Sequence, residues 1–277
     1  MTNSSASSAT ITSIAVFENG RPAEGHGTTN LIFDAQIYLG DDCPPLLAAL
    51  RYFNSENHVF NEIGFYFIVA TVAKMESGAH IALQNNTGID ETDYDVVGNV
   101  VMLIPITGDA AVNPTIRPYI HVCGTVRSVD DLAGTFTIDA HQYVNALKTA
   151  TNSNFNSMLP VECSIPNTPR WHKNGKKFGI PHPNRYISVT GFLTGRKTRK
   201  EHEVCITECF TLEIQSIVFL GRPVVANSSG SPIQARTPGA KSKMKFDFSS
   251  ARANKCLRLD DNATESSGTS AINSVDN

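Results

Sequence analysis

Between Arg170 and Lys200 the sequence RWHKNGKKFGIPHPNRYISVTGFLTGRKTRK holds nine Lys or Arg residues and no carboxylate. The cations are Arg170, Lys173, Lys176, Lys177, Arg185, Arg196, Lys197, Arg199 and Lys200, and Trp171, Phe178, Tyr186 and Phe192 are threaded among them. Cations neutralise phosphates while flat aromatic faces stack on bases, so this mixture points to a single-stranded nucleic acid. Trp171, the only tryptophan, sits in an Arg-Trp-His-Lys context and is expected to be exposed and to stack. Phe178, between Lys177 and Gly179, is expected to do the same from a loop. Tyr186 and Phe192 are six residues apart on one strand and share a face, with Ile187, Val189, Gly191 and Leu193 on the other. Arg196, Lys197, Arg199 and Lys200 would form the tip of a hairpin able to close over a strand. The plainer reading is a solvated basic hairpin whose aromatics are core.

The charge is unevenly distributed. Residues 1–115 carry 3 Lys/Arg against 13 Asp/Glu (−10), residues 116–223 carry 13 against 8 (+5), and residues 224–277 carry 7 against 5 (+2). Only the second region suits a polyanion. A competing reading follows from the same numbers: the basic stretch meets an acidic protein partner, or the chain's own acidic first half.

Enzyme chemistry finds no foothold. The acidic cluster Asp90, Glu91, Asp93 and Asp95 lacks the spacing of a calcium loop and reads as a solvated loop. No G-x-S-x-G, HExxH or Walker sequence occurs. Cys205 and Cys209 are four apart, and with His202 they lack a second ligand pair at zinc spacing. No enzymatic activity, metal or cofactor is expected. The six cysteines read as reduced thiols. The polar start MTNSSASSAT does not resemble a secretory signal, and the longest apolar run, Ile63–Ala73, is too short for a bilayer. The expectation is an intracellular protein without membrane contact, with a nuclear address as an option from Lys241, Lys243 and Lys245.

The elements that must position these residues are strands. Runs rich in β-branched and aromatic residues recur at 11–17, 30–39, 64–75, 79–84, 95–106, 118–127, 134–143, 158–164, 185–194 and 209–220, separated by Gly, Pro, Asn and Asp. Helix is expected only at Pro44–Phe53, which opens with prolines suited to a first turn, and at Tyr143–Ala150. Gly124 and Gly191 lie inside strands, where a sharp bend or a close approach would explain them. The strand pair 64–75 and 94–106 parallels the pair 184–195 and 210–221, suggesting an internal repeat. The resulting expectation is a mainly β protein of two tandem OB-like, five-stranded, partly open barrels. Its parts are a disordered arm at 1–10, an acidic β-domain at 11–108, a basic domain at 115–222, and a disordered Ser/Pro/Gly-rich and basic tail at 223–277.

The segment 186–222, YISVTGFLTGRKTRKEHEVCITECFTLEIQSIVFLGR, resembles the last two strands of bacterial and mitochondrial single-stranded-DNA-binding proteins. The matching positions are Ile187, Val189, Gly191, Leu193 and Arg196, then Phe210, Leu212, Ile214, Ile217, Leu220 and Gly221. Upstream, VCGTVRSVDDLAGTFTID (122–139) is similar to the opening hairpin of an OB domain, a shape also used in the replication protein A family. The acidic, Phe-ending tip of the bacterial proteins has no match in AINSVDN, and the first half of this chain has no counterpart in them. The resemblance implies an OB fold and single-strand binding, DNA before RNA, with the acidic first half left for a protein partner or self-association.

Overall fold

In the computed structural model, described for residues 7–23, 29–83, 88–106, 113–148, 157–173, 176–177, 179–201 and 204–220, almost all regular structure is strand. The strands are β1 (Ser8–Pro22), β2 (Asn30–Ile37), β3 (Leu46–Phe53), β4 (Ile63–Lys74), β5 (Val96–Pro105), β6 (Tyr119–Asp130), β7 (Thr135–His141), β8 (Met158–Ser164), β9 (His172–Lys173), β10 (Lys176–Lys177), β11 (Tyr186–Glu201) and β12 (Val204–Phe219). Most follow a period of two. Along β1, Ala9, Ile11, Ala15 and Phe17 turn inward while Thr10, Thr12, Ile14 and Val16 stay half-exposed. β8 alternates in the same way, with Leu159, Val161 and Cys163 inside.

Two rings result. In the first, β1 pairs with β2, β2 with β3, β3 with β5 in parallel, β5 with β4, and β4 closes back on β1. The second repeats that connectivity: β6–β7, β7–β8, a parallel β8–β12, β12–β11, and β11 back to β6. A further pairing of Ser8–Thr12 in β1 with Tyr119–Cys123 in β6 joins the rings into one ten-stranded sheet. One buried cluster runs through both, from Phe17, Phe33 and Ile68 to Phe136, Ile187 and Phe210. These residues belong to a single compact unit, Met1–Val224.

The first ring is also covered on its outer wall. Ile32, Ala49, Ala73 and Val97 pack against Ile81 and Tyr94, from the segment between β4 and β5, and against Val144 and Ala146. A buried ion pair pins that cover. Arg21 lies 2.6 Å from Asp34, Tyr94 Oη donates to the same carboxylate at 2.6 Å, and the Arg21 Nε donates to the Ala82 carbonyl at 2.6 Å. Every charge is met by a partner, which a buried pair requires. Burial, helped by Asp34, pushes the Tyr94 hydroxyl far above its ordinary range.

Four sequence expectations change. Leu46–Phe53 is strand β3, not the helix expected over Pro44–Phe53. Both of its faces are buried, Ala48 and Leu50 in the main core and Ala49 beneath the cover. A doubly covered strand reads as a continuous apolar run, so its period is lost. Residues 79–83 are not a strand but part of the cover, and the described part of Tyr143–Ala150 holds a 3-10 turn at Asn145–Leu147. Ser8–Thr10, placed in a disordered arm by composition, are paired in β1. The expected tail at 223–277 lies outside the described residues.

Gly191 sits at an irregularity in the second ring. The β11–β12 register shifts between Thr190 and Gly191, and a Cβ on Gly191 would lie 2.1 Å from the Glu213 carbonyl oxygen. Gly124 has a similar constraint, with the Asp139 carbonyl oxygen 2.7 Å away. Gly191→Ala should therefore lower the unfolding free energy by about 1–3 kcal/mol. Urea denaturation checks this as a lower midpoint with an unchanged slope.

Candidate nucleic-acid interface

The basic stretch is divided by its own strand. Arg170 to Arg185 precede β11, whereas Arg196 to Lys200 occupy its far end. Fourteen residues separate Arg185 from Arg199, a contour of about 45 Å at ~3.3 Å per residue. The two cation groups therefore cannot meet at one point, and a ligand touching both would have to run along the strand.

The first group begins beside a buried indole. After β8, a 3-10 turn at Pro169–Trp171 swings the indole inward, where it is 6% exposed and joins the main core. Gly179, at φ +86°, lies against the ring edge, so a Cβ there would approach the indole to 3.3 Å. The Arg170 guanidinium sits 5.4 Å from the Trp171 ring centre on the solvent side. The exposure expected of Trp171 is thus corrected: Arg170 remains outside while the indole joins the core, and it cannot stack on a base. Lys173 pairs with Lys176 across the β9–β10 ladder. Phe178 lies outside the described residues. Arg185 is exposed, and its carbonyl accepts from Val126 N at 2.9 Å.

The face expected of Tyr186 and Phe192 is the one observed. Ile187, Val189 and Leu193 are buried, and the two aromatics are half-exposed on the outer side. Phe192 stands edge-on to Tyr119 at 5.3 Å between ring centres, directly across the β11–β6 pairing. Tyr186 Oη accepts from the Cys123 thiol at 3.3 Å. Burial, then that thiol, raises the Tyr186 hydroxyl well above its usual range. One register step on, His121 Nε2 is 2.7 Å from Ser188 Oγ. Tyr119, 38% exposed and next to exposed Arg117, is an exposed aromatic missed in the sequence. The alternation of Tyr119 and His121 with buried Ile120 and Val122 was the signal for it.

The second group lies on an arm. Beyond the ring, among the described residues, the part of β11 and β12 within 194–209 pairs only with itself, an extent of roughly 25 Å. Arg196 and Lys197 are both engaged. Arg196 makes an ion pair with Asp95 of the first ring and donates to the Pro45 carbonyl at 3.2 Å. Lys197 Nζ is 2.7 Å from Glu162 on β8, whose hydrogen bond raises the ammonium above the ordinary lysine range. Arg199 and Lys200 are exposed nearer the tip. Arg199 lines a cleft of about 340 Å³ with Lys74, Glu76, Glu91, Asp95 and Thr207.

Asp95 is the second residue sequence reasoning missed. Instead of sitting in a solvated loop, it is 6% exposed at the foot of β5. Its carboxylate accepts from Leu47 N at 3.0 Å and Thr207 Oγ1 at 2.7 Å, besides Arg196. Its place at the start of the apolar run Val96–Ile104 was the available clue. Elsewhere the outer wall is unfavourable to phosphate: β7 and β8 turn Asp139 and Glu162 outward, answered by Arg127 at 3.7 Å and by Lys197. Among the described residues, no group of three His, Cys, Asp or Glu is gathered for a metal, and no helix is long and apolar enough to cross a membrane.

The buried indole has an optical consequence. Emission from Trp171 should be blue-shifted in the folded protein and only weakly quenched by acrylamide, with quenching rising on unfolding. Strong native quenching would contradict the buried arrangement.

No protein-family model matches the chain, and no curated protein matches it.

Proposed function

We propose that the chain is a non-enzymatic single-strand-binding protein made of two OB-like barrels, with DNA preferred over RNA. The observation that carries this reading is the connectivity. Each ring runs first–second–third–fifth–fourth strand and back to the first, with the third and fifth parallel. In the second ring this makes the cationic arm the connection between the fourth and fifth strands, one of the places from which OB barrels hold oligonucleotides. On this reading the barrels correspond to the domains expected at 11–108 and 115–222. The contact surface is revised from the sequence expectation: Arg199 and Lys200 on the arm, with Arg117, Tyr119 and Phe192 along the adjoining sheet, replace Trp171.

A second reading, that the basic surface serves protein contacts, is favoured by a specific observation. The arm already meets an acidic residue of the first ring through Arg196 and Thr207. Exposed apolar side chains on the outer faces of β4 and β5, including Phe65, Met102 and Ile104, also suit a protein partner.

Fluorescence anisotropy of a labelled oligo-dT, compared with oligo-rU and duplex, separates the two. Single-strand binding should weaken with salt at a log–log slope of about −0.7 per phosphate neutralised. Charge reversal at Arg199 and Lys200 should weaken binding alike across sequences. Absence of binding at low salt would overturn the nucleic-acid reading and leave the protein-contact one.

A further inference from the structure

Both strands of the arm meet the first ring at one carboxylate, beside the Arg196 bond to the Pro45 carbonyl and the Cys43 contact with Thr194. Asp95 Oδ2 faces Arg196 on β11 and accepts from Leu47 N; Oδ1 accepts from Thr207 on β12, so both strands of the arm end on one side chain. The approach is close throughout. Cys43 Sγ lies 3.7 Å from the Thr194 carbonyl, and a Cβ on Gly195 would reach within 3.3 Å of that sulfur. Asp95 itself is fixed: its N–H donates to Leu47 O at 2.8 Å and its carbonyl accepts from Met75 N at 2.9 Å. The described part of the arm, by contrast, meets the first ring and β8 through side chains, Arg196, Lys197 and Thr207 among them. One partner is thus set by its own backbone and the other is held by side-chain contacts.

To a guanidinium, a carboxylate and a phosphate are the same class of ligand, each accepting charge-assisted hydrogen bonds. We infer that Asp95 is an internal competitor for nucleic acid: it occupies Arg196 in the place of a phosphate and latches the arm closed. This rests on the single-strand-binding reading. A bound strand that takes Arg196 releases the Asp95 carboxylate to water through the adjoining cleft, which Arg199 borders. The arm then opens as the ligand binds, and the gain at Arg196 is reduced by the loss at Asp95. The acidic first ring therefore sets the affinity of the basic second one, a coupling between the two rings.

Two variants test this. Asp95→Asn removes the competing charge but keeps an acceptor for Leu47 N; Thr207→Val leaves the charge and removes only the hydroxyl bond. Amide exchange over 196–207 reads the latch, and oligo-dT anisotropy across a salt series reads the competition. Asp95→Asn should speed exchange in the arm, tighten binding on the order of fivefold or more, and steepen the salt slope by about 0.7 as Arg196 reaches a phosphate. Thr207→Val should speed exchange with a smaller gain in affinity and no change of slope. A folded Asp95→Asn protein whose arm exchanges faster but binds no tighter would overturn the competition. Unchanged exchange in both variants would overturn the latch. Binding by neither the parent nor the variants would instead defeat the nucleic-acid reading, and exchange alone would then decide the latch.

Discussion

Everything about the placement of charge in this molecule depends on five residues of β1. Ser8–Thr12 pair with β6 on one edge, and from Thr10 onward the same strand pairs with β4 on the other. A backbone bonded on both edges has no freedom to pivot, and the N–H and C=O groups released by separating the rings would lack protein partners. The outer surface therefore runs without a break through β5, β4, β1, β6, β11 and β12. Two rings of identical connectivity would ordinarily be two domains on a linker; here they share a sheet and a core, so the acidic and basic halves are held in fixed proximity.

That proximity decides how much the charge asymmetry matters. At physiological ionic strength, exposed charges are screened beyond about 8 Å. The net −10 of residues 1–115 thus acts on the basic half only where the two come into contact. Contact occurs along the arm, where Asp95 meets Arg196 and where Glu76 and Glu91 border the same cleft as Arg199. Arg170 and Arg185, at the other end of β11, lie beyond its reach. A formal +5 in the second region therefore overstates what a polyanion would find on the arm and describes the far end more faithfully.

What the sequence revealed and what it hid divide along a physical line. Strands with one face in and one face out were readable, because a period of two survives wherever only one side is covered. Ile187, Val189 and Leu193 against Tyr186 and Phe192 are the clearest case. Gly124 and Gly191 were readable for a related reason, since an unpacked position inside such a strand implies a close neighbour. β3 was hidden because burial on both faces erased its period, and its Leu and Ala residues favour helix in isolation. Trp171 and Asp95 were hidden for a different reason. Trp171 sits among polar neighbours in sequence and Asp95 ends an acidic run, and the burial of each is set by distant segments: Gly179 and the core for the indole, Leu47 and the arm for the carboxylate. Local context gives the environment of a side chain only when its neighbours in space are also its neighbours in the chain.

The burial of Trp171 does more than remove a stacking residue. The connection from β8 to β11 would be a loose loop of some twenty residues, long for an unstructured link within a compact unit. Its described residues are tied to the core by the indole, with Ile165 in the same buried cluster and Ile180 packed against it. The backbone at Asn184 and Arg185 is tied to Val126 as well, by hydrogen bonds of 2.8 and 2.9 Å. Arg170 and Arg185 are consequently mounted on a rigid support, whereas the arm cations hang on a hairpin restrained by side-chain contacts with Asp95 and Glu162. Side-chain ion pairs exchange for other anions far more readily than a buried indole leaves its site. If a strand lies along β11, its first contacts are therefore with positions the fold has already set, and the arm closes or opens around a ligand that is already in place.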